Sequence, residues 1–168
     1  NSGTTVRLMA GLLAGKGVRA KFTGDKSLSE RPMNRIIDPL IKMGINIESE
    51  NGYLPLFLTP GNVNGIDYTP QVASAQVKSC IILAGLGAFG ETKVQEKIKT
   101  RDHTEIMLKE LGAEIKSADV ISIQPLKKPL DAFEITIPGD PSSAAFFAAA
   151  AAMIPNSDLT IKNILANT

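Results

Sequence analysis

The pattern of apolar positions predicts two kinds of helix. Residues 8–15, 80–89 and 144–154 are apolar on every side, and a helix of that kind is covered all round by protein. Residues 30–44 and 103–112 are amphipathic and end in Gly, as helix C-termini often do. We therefore expect three buried helices and two helices with one face toward solvent.

Short runs rich in β-formers lie between these helices and are bounded by Gly, Pro and Asn. They occupy residues 18–23, 45–49, 54–59, 91–97, 120–124, 133–137 and 158–162. The order of helices and strands repeats, because residues 43–47 (MGINI) and 111–115 (LGAEI) end the second helix of each unit alike, 68 residues apart. A period this long indicates a repeated supersecondary unit.

The repeat predicts an α/β fold built from two full units and the start of a third. The predicted boundaries are 1–71, 72–138 and 139–168, and the first unit lacks its opening strand. Because the chain begins and ends inside the pattern, and begins without Met, we expect it to be the central part of a larger protein.

Composition excludes several classes of function. The net charge is +1 and there is no Trp among the 168 residues, so neither a bulk positive field nor base stacking predicts a nucleic-acid partner. No apolar run reaches the roughly 18 residues that span a bilayer, so no membrane partner is predicted. The single Cys80 and single His103 predict a buried thiol, no disulfide framework and no His/Cys metal site. No signal peptide is visible, and we expect a cytoplasmic protein.

Three polar motifs stand where helices could begin: GDKSLSERPM (24–33), VASAQVKS (72–79) and TRDHTE (100–105). Helix N-termini present free N–H groups and a partial positive charge, which suit anions. Arg31 and Arg101 occupy nearly equivalent places in the repeat, and a guanidinium can hold a carboxylate or phosphate in a bidentate way. The motifs together predict a ligand with more than one anionic group, bound between two neighbouring arginines.

Each motif also has a simpler interpretation. Arg31 could be solvated and paired with Glu30 or Asp25. The opening segment 1–7 could be an ordinary helix cap, although Gly3 would let a ligand approach the backbone closely. The motif at 72–79 could also be only a cap. The residues alone leave these alternatives open.

Taken together, the blocks NSGTTVRL, GDKSLSERPM, VASAQVKS, TRDHTE, GDPSSAAFF and NILANT resemble the 5-enolpyruvylshikimate-3-phosphate (EPSP) synthase family, and its class II branch in particular. The resemblance implies an inside-out α/β barrel domain of repeated βαβαββ units with buried parallel helices and outer sheets. It implies transfer of an enolpyruvyl group from phosphoenolpyruvate to shikimate 3-phosphate in aromatic amino-acid biosynthesis, with no metal and no organic cofactor.

The resemblance also implies the binding residues. Those on the phosphoenolpyruvate side, where the inhibitor glyphosate also binds, are Gly3, Arg31 and Gln76. Those on the shikimate 3-phosphate side are Ser74, Ala75, Gln76, Thr100 and Arg101. Class II members often carry Ser at the position of Thr100, and many glyphosate-tolerant enzymes carry Ala at the position of Gly3.

The acid/base carboxylates of the family have no match in this chain, so no catalytic residue is assigned. We expect half of an anion cleft that does not turn over alone, a full enzyme that is a monomer, and a partial chain prone to self-association through apolar helix faces. The alternatives are a non-catalytic phosphate-binding module, a plain structural domain with solvated arginines, and the related UDP-N-acetylglucosamine enolpyruvyl transferase.

Overall fold

The computed structural model describes residues 1–59 and 61–165. The chain forms two compact units, Asn1–Asp131 and Ala132–Thr168. The larger unit contains, in chain order, α1 (Gly3–Gly15), β1 (Ala20–Phe22), α2 (Lys26–Ser29), α3 (Asn34–Lys42), β2 (Asn46–Glu50), β3 (Tyr53–Thr59), β4 (Asp67–Tyr68), α4 (Ala75–Gly85), β5 (Thr92–Gln95), α5 (His103–Glu110), β6 (Ile115–Ser117) and β7 (Val120–Ile123). The smaller unit contains α6 (Pro141–Met153).

Two sheets form within the larger unit. The first is antiparallel, in the order β1-β3-β2, and the second has the order β4-β5-β7-β6 with only the β4–β5 pair parallel. Alternate residues of β3, namely Leu54, Leu56 and Leu58, are buried, because successive side chains of a strand point to opposite faces. The mixed α/β class predicted from the sequence is therefore observed.

Helices α1 and α4 form the centre of the core and run parallel. Close contacts advance together along both helices, from Gly11 against Cys80 to Gly15 against Ala84. A methyl group at Gly11 would overlap the carbonyl oxygen of Cys80, so the absence of a side chain there permits the close approach. Because the helices run parallel, the start of α1 and the start of α4 lie at the same end of the unit.

The position of Cys80 confirms the predicted buried thiol. The side chain has no exposed surface, and burial raises its pKa to about 12, although a hydrogen bond with the backbone of Gly11 acts in the opposite direction. A thiol buried in apolar surroundings stays protonated and unreactive. Cys80 therefore belongs to the packing between α1 and α4.

Most predicted elements are found, and the misses have a common cause. Helices form in all five predicted regions, and strands form in five of the seven predicted ones. The predicted strands at 133–137 and 158–162 are wrong. The β-structure in the described part of the smaller unit is an isolated bridge between Gly139 and Ile164. A β-rich run becomes a strand only when a neighbouring strand accepts its hydrogen bonds.

The predicted burial of residues 144–154 is also wrong. No residue of α6 is buried, and Phe146 and Met153 are 79% and 82% exposed. The described residues of the smaller unit supply no strand or second helix to cover this helix. Within the described residues, no helix is long and apolar enough to cross a membrane.

Candidate functional site

The sequence motifs at the two central helix starts supply their caps. Ser2 accepts a hydrogen bond from the Thr5 amide at α1, and Ser74 accepts one from the Val77 amide at α4. Each cap satisfies one of the free N–H groups of the first turn. The capping interpretation of both motifs is correct, and it leaves the neighbouring side chains available for other contacts.

Gln76 joins the start of α4 to the start of α1. Its Oε1 accepts a hydrogen bond from Arg7 Nη1 at 2.6 Å, and its Nε2 donates to Thr4 Oγ1 at 2.6 Å. Arg7 Nη2 also donates to the carbonyl oxygen of Pro32 at 3.3 Å. These bonds fix both ends of the Gln76 amide and hold Arg7 beside the segment that contains Arg31.

Gly3 provides an opening next to two guanidinium groups. A methyl group at this residue would lie 3.4 Å from Nη1 of Arg31 and 3.4 Å from Nη1 of Arg7. The absence of a side chain therefore leaves room for an anion beside both cations. Gly3, Arg31 and Gln76, which the sequence assigned to one side of the site, come together around Arg7.

This corner of the molecule is strongly positive. Partial burial, followed by the charges of Arg35 and Arg31, lowers the pKa of Arg7. Within the described residues no ion pair joins Arg31 to Glu30 or Asp25. Asp25 instead accepts a hydrogen bond from Leu28 and caps α2. A bound anion would offset the repulsion among these arginines.

A second group of predicted residues lines an open pocket of ≈ 460 Å³. The lining residues are Ala73, Ser74, Ala75, Gln76, Lys99, Thr100 and Arg101. All five residues that the resemblance assigned to the second ligand therefore line one pocket. Gln76 is common to this pocket and to the Arg7 group, so it connects the two.

A larger cavity of ≈ 540 Å³ lies beside α3 and includes Arg35, Lys42 and Tyr68 in its wall. Lys42 Nζ lies 5.2 Å from the centre of the Tyr68 ring, and burial and Asp38 raise the pKa of Tyr68. None of the predicted binding residues lines this cavity. We place the candidate site at the ≈ 460 Å³ pocket because the polar start of α4 and a basic loop converge there, and Gln76 links it to the start of α1.

Two sequence expectations are modified. Arg31 lies between α2 and α3 because α3 begins only at Asn34, after Pro32. Of the two residues of the TRDHTE motif that could cap α5, Asp102 and Thr104, Asp102 stands at the N-cap position, but its side chain makes no capping hydrogen bond. Arg31 lies in the Arg7 group and Arg101 lines the pocket, and Gln76 belongs to both. The predicted proximity of the two arginines stays a prediction.

Three further residues lie at the candidate site that the resemblance did not assign to it: Thr4, Arg7 and Lys99. Arg7 lies one turn after the start of α1, and a single charge near a helix start is a weak signal in the sequence. Lys99 lies in the basic run KIKTR. Their convergence depends on the parallel packing of α1 and α4 and could not be derived from spacing.

Comparison with known proteins identifies the family. A sequence model described as EPSP synthase (3-phosphoshikimate 1-carboxyvinyltransferase) matches residues 1–168. The chain belongs to the EPSP synthase family. The 3-phosphoshikimate 1-carboxyvinyltransferase of Endomicrobium trichonymphae is 50% identical over 169 residues, covering 99% of this chain and 39% of that protein. That of Clostridium tetani is 51% identical over 168 residues, covering 99% and 38%.

Solved structures of this family agree with the fold. EPSP synthase from Acinetobacter baumannii matches with a TM-score of 0.83 and 45% identity, covering 99% of this chain and 39% of that one. The chain therefore spans about two fifths of the length of its relatives, 39% in the first of them. The family and the fold of this portion are shown by these similarities.

Proposed function

We propose that this chain is the central part of an enzyme that transfers the enolpyruvyl group of phosphoenolpyruvate to shikimate 3-phosphate. The carrying observation is Gln76, which is bound to Arg7 on one side and lines the Arg101 pocket on the other. Two separate cationic groups joined by one fixed amide suit two anionic substrates that must meet. The names of the relatives supply the reaction.

The two cationic groups have different roles in this proposal. Phosphoenolpyruvate binds beside Gly3, where Arg31 and Gln76 hold its anionic groups. Shikimate 3-phosphate binds in the pocket, where its phosphate and hydroxyl groups meet the second set of predicted residues: Ser74, Ala75, Gln76, Thr100 and Arg101. Bidentate guanidinium contacts give geometric specificity as well as charge.

The repeated βαβαββ architecture belongs to the same proposal. The element order from β4 to β7 is βαβαββ, and α1, α3, β2 and β3 supply most of a preceding unit. The parallel packing of α1 and α4 supports buried parallel helices. We propose three units of an inside-out α/β barrel domain with the boundaries predicted from the sequence, 1–71, 72–138 and 139–168, except that β4 at Asp67–Tyr68 opens the second unit.

We further propose that this chain does not turn over alone. General acid–base catalysis needs groups within hydrogen-bond reach of the reacting atoms, and no carboxylate lines the proposed pocket among the described residues. The site holds and orients anions, and the rest of the enzyme supplies proton transfer and closure. We also propose that the full enzyme is cytoplasmic and monomeric, and that it uses no metal or organic cofactor.

Titration of the chain with shikimate 3-phosphate, followed by two-dimensional amide NMR, tests binding. Saturable shifts centred on residues 74–76 and on Arg101 are expected, and glyphosate added to the complex is expected to shift Gly3 and Arg31. Arg101→Ala should abolish the first set. Arg19→Ala removes the same charge from beyond the opposite end of α1 and should leave the titration unchanged. Equal binding by both variants would contradict the assignment of the pocket.

A chimera tests the reaction. This chain replaces the matching segment of the Clostridium tetani relative, and phosphate release from phosphoenolpyruvate is measured with and without shikimate 3-phosphate. Release that depends on shikimate 3-phosphate supports the proposal. A folded chimera that binds shikimate 3-phosphate but releases no phosphate would instead favour the non-catalytic binding module. The family match does not favour the UDP-N-acetylglucosamine enzyme.

A further inference from the structure

A buried charged cluster lies behind the Arg101 pocket, on the same helix as Gln76. Lys78 of α4 is 1% exposed, and its Nζ lies 2.7 Å from Glu105 Oε1, 3.0 Å from Glu96 Oε2 and 3.3 Å from the carbonyl oxygen of Thr100. An ammonium has three donors. Hydrogen bonds to Glu96 and to the carbonyl oxygen of Thr100 use two of them, and the carboxylate of Glu105 lies within ion-pair distance of the same nitrogen.

The cluster ties both ends of the loop that contributes to the pocket. Glu96 follows β5 directly and Glu105 lies in the first turn of α5. Between them lie Lys99, Thr100 and Arg101, which line the pocket. One lysine on a rigid central helix thus holds the start, the middle and the end of a segment with no regular structure of its own.

Two more bonds strengthen this arrangement. The hydroxyl of Thr100 donates to Glu96 Oε1, so Glu96 links Thr100 to Lys78 by a second route. The hydroxyls of Ser79 and Thr104 lie 2.7 Å apart, which fixes the first turn of α5 against α4. Thr100 is held through its carbonyl oxygen and its hydroxyl, and Arg101 is the next residue.

Stability alone does not account for a lysine at this place. Its contact with Glu105 is a close ion pair, yet neither oxygen of Glu105 makes an aligned hydrogen bond among the described residues. One ammonium faces two carboxylates, and apolar residues of similar volume often replace such clusters without loss of stability. The cluster therefore contributes geometry that an apolar core would not.

We propose that Lys78, acting with Glu96 and Glu105, is a positioning residue that fixes the 96–101 loop so that Thr100 and Arg101 face the second ligand. The proposal rests on the proposed function for the identity of that ligand. It predicts that the loop is ordered before any ligand binds. Lys78 itself is covered by protein and touches no substrate.

Two variants loosen the loop without leaving an unpaired buried cation. Glu96→Ala removes the link to Thr100 and leaves the Lys78–Glu105 pair balanced in charge. The double variant Lys78→Met/Glu105→Gln removes the pair itself. The matched control is Glu91→Ala, since Glu91 precedes the same strand and forms a more exposed ion pair with Lys93 at 3.2 Å.

The first readout needs no ligand. Backbone order parameters from NMR relaxation are expected to be about 0.85 for residues 97–101 in the native chain and in the control, and below about 0.6 in Glu96→Ala. Residues of α1 should keep their values in every variant. Unchanged order of the loop in a folded Glu96→Ala or in the folded double variant would overturn the proposal.

The second readout is the titration with shikimate 3-phosphate. If the loop is in its binding geometry for about a tenth of the time, the apparent Kd rises about tenfold. A folded variant with a loose loop and unchanged Kd would overturn the positioning role. If the native chain binds nothing, the proposed half-site fails, and the order parameters still decide whether Lys78 holds the loop.

Discussion

Helices α4 and α6 have similar apolar sequences and opposite surroundings. Eight of the 11 residues of α4 are buried, including a lysine. None of the 13 residues of α6 is buried, although α6 has no charged residue. The difference shows that an apolar sequence identifies a helix whose surface is suited to burial. Whether that surface is buried depends on the elements that pack around the helix.

The physical basis is the set of elements around each helix. α4 packs against α1 through glycine contacts and against α3 and β5, so its apolar surface is removed from water. Burial of that surface also encloses Lys78, which two carboxylates and a carbonyl compensate. The smaller unit has one helix and an isolated bridge among its described residues, and none of these residues removes the apolar surface of α6 from water.

The largest expected effect comes from Lys78→Met, which leaves Glu96 and Glu105 buried without their cation. Removal of one partner of a buried charged cluster costs about 3–5 kcal/mol. We expect a loss of this size in the free energy of unfolding, measured by urea denaturation. Lys93→Met removes a half-exposed partner and should change it by no more than about 1 kcal/mol. Equal losses would show that the cluster is open to water.

The next effect compares the two helices directly. Ile82→Ala removes a side chain with no exposed surface from α4, and such truncations lose about 2–5 kcal/mol. Phe147→Ala on α6 removes a side chain that is 68% exposed and should change the free energy of unfolding by less than about 0.5 kcal/mol. A large loss of unfolding free energy in Phe147→Ala would mean that α6 is covered in solution. If that loss depended on protein concentration, the cover would be a second copy of the chain.

The sequence predicts the helices best because their periodicity and caps are local. The pattern placed the start of α4 at Ser74, which is its N-cap. It placed the ends of α3 and α5 at Gly44 and Gly112, which follow those helices with positive φ. The short β4 and β6 escape prediction because two or three residues carry no periodic signal. The strands at 133–137 and 158–162 fail for a different reason, since strand formation depends on partners that a local pattern does not contain.

For the candidate site, the resemblance grouped more of the residues that lie together in the structure than spacing could. It grouped Ser74 and Gln76 with Arg101, and the structure brings them to one pocket. It did not include Arg7, whose contact with Gln76 spans 69 positions in the chain. Lys78 was visible as the one charge in an apolar helix, but its partners Glu96 and Glu105 become evident only when α4 and α5 are packed.

A smaller effect tests the close contact of α1 with α4. Gly11→Ala places a methyl group against the carbonyl oxygen of Cys80, and overpacking of this kind costs about 1–3 kcal/mol. Gly3→Ala is the matched control on the same helix, because its methyl would lie 3.4 Å from its nearest neighbours. It should leave the free energy of unfolding within about 0.5 kcal/mol and weaken glyphosate binding instead. Equal stability of both variants would contradict the direct helix contact.

The smallest effect concerns Cys80, which no longer titrates in its ordinary range. Its pKa is raised from 9.0 to about 12 in the folded state, so the unfolded chain loses this proton first as pH rises. The contribution to stability is complete below about pH 9 and is lost between pH 9 and pH 12, by about 1.4 kcal/mol for the first unit of pH. Urea denaturation of the native chain and of Cys80→Ala at pH 8 and pH 10 separates this loss from other titrations. A loss of the same size in both proteins would mean that water reaches the thiol between α1 and α4.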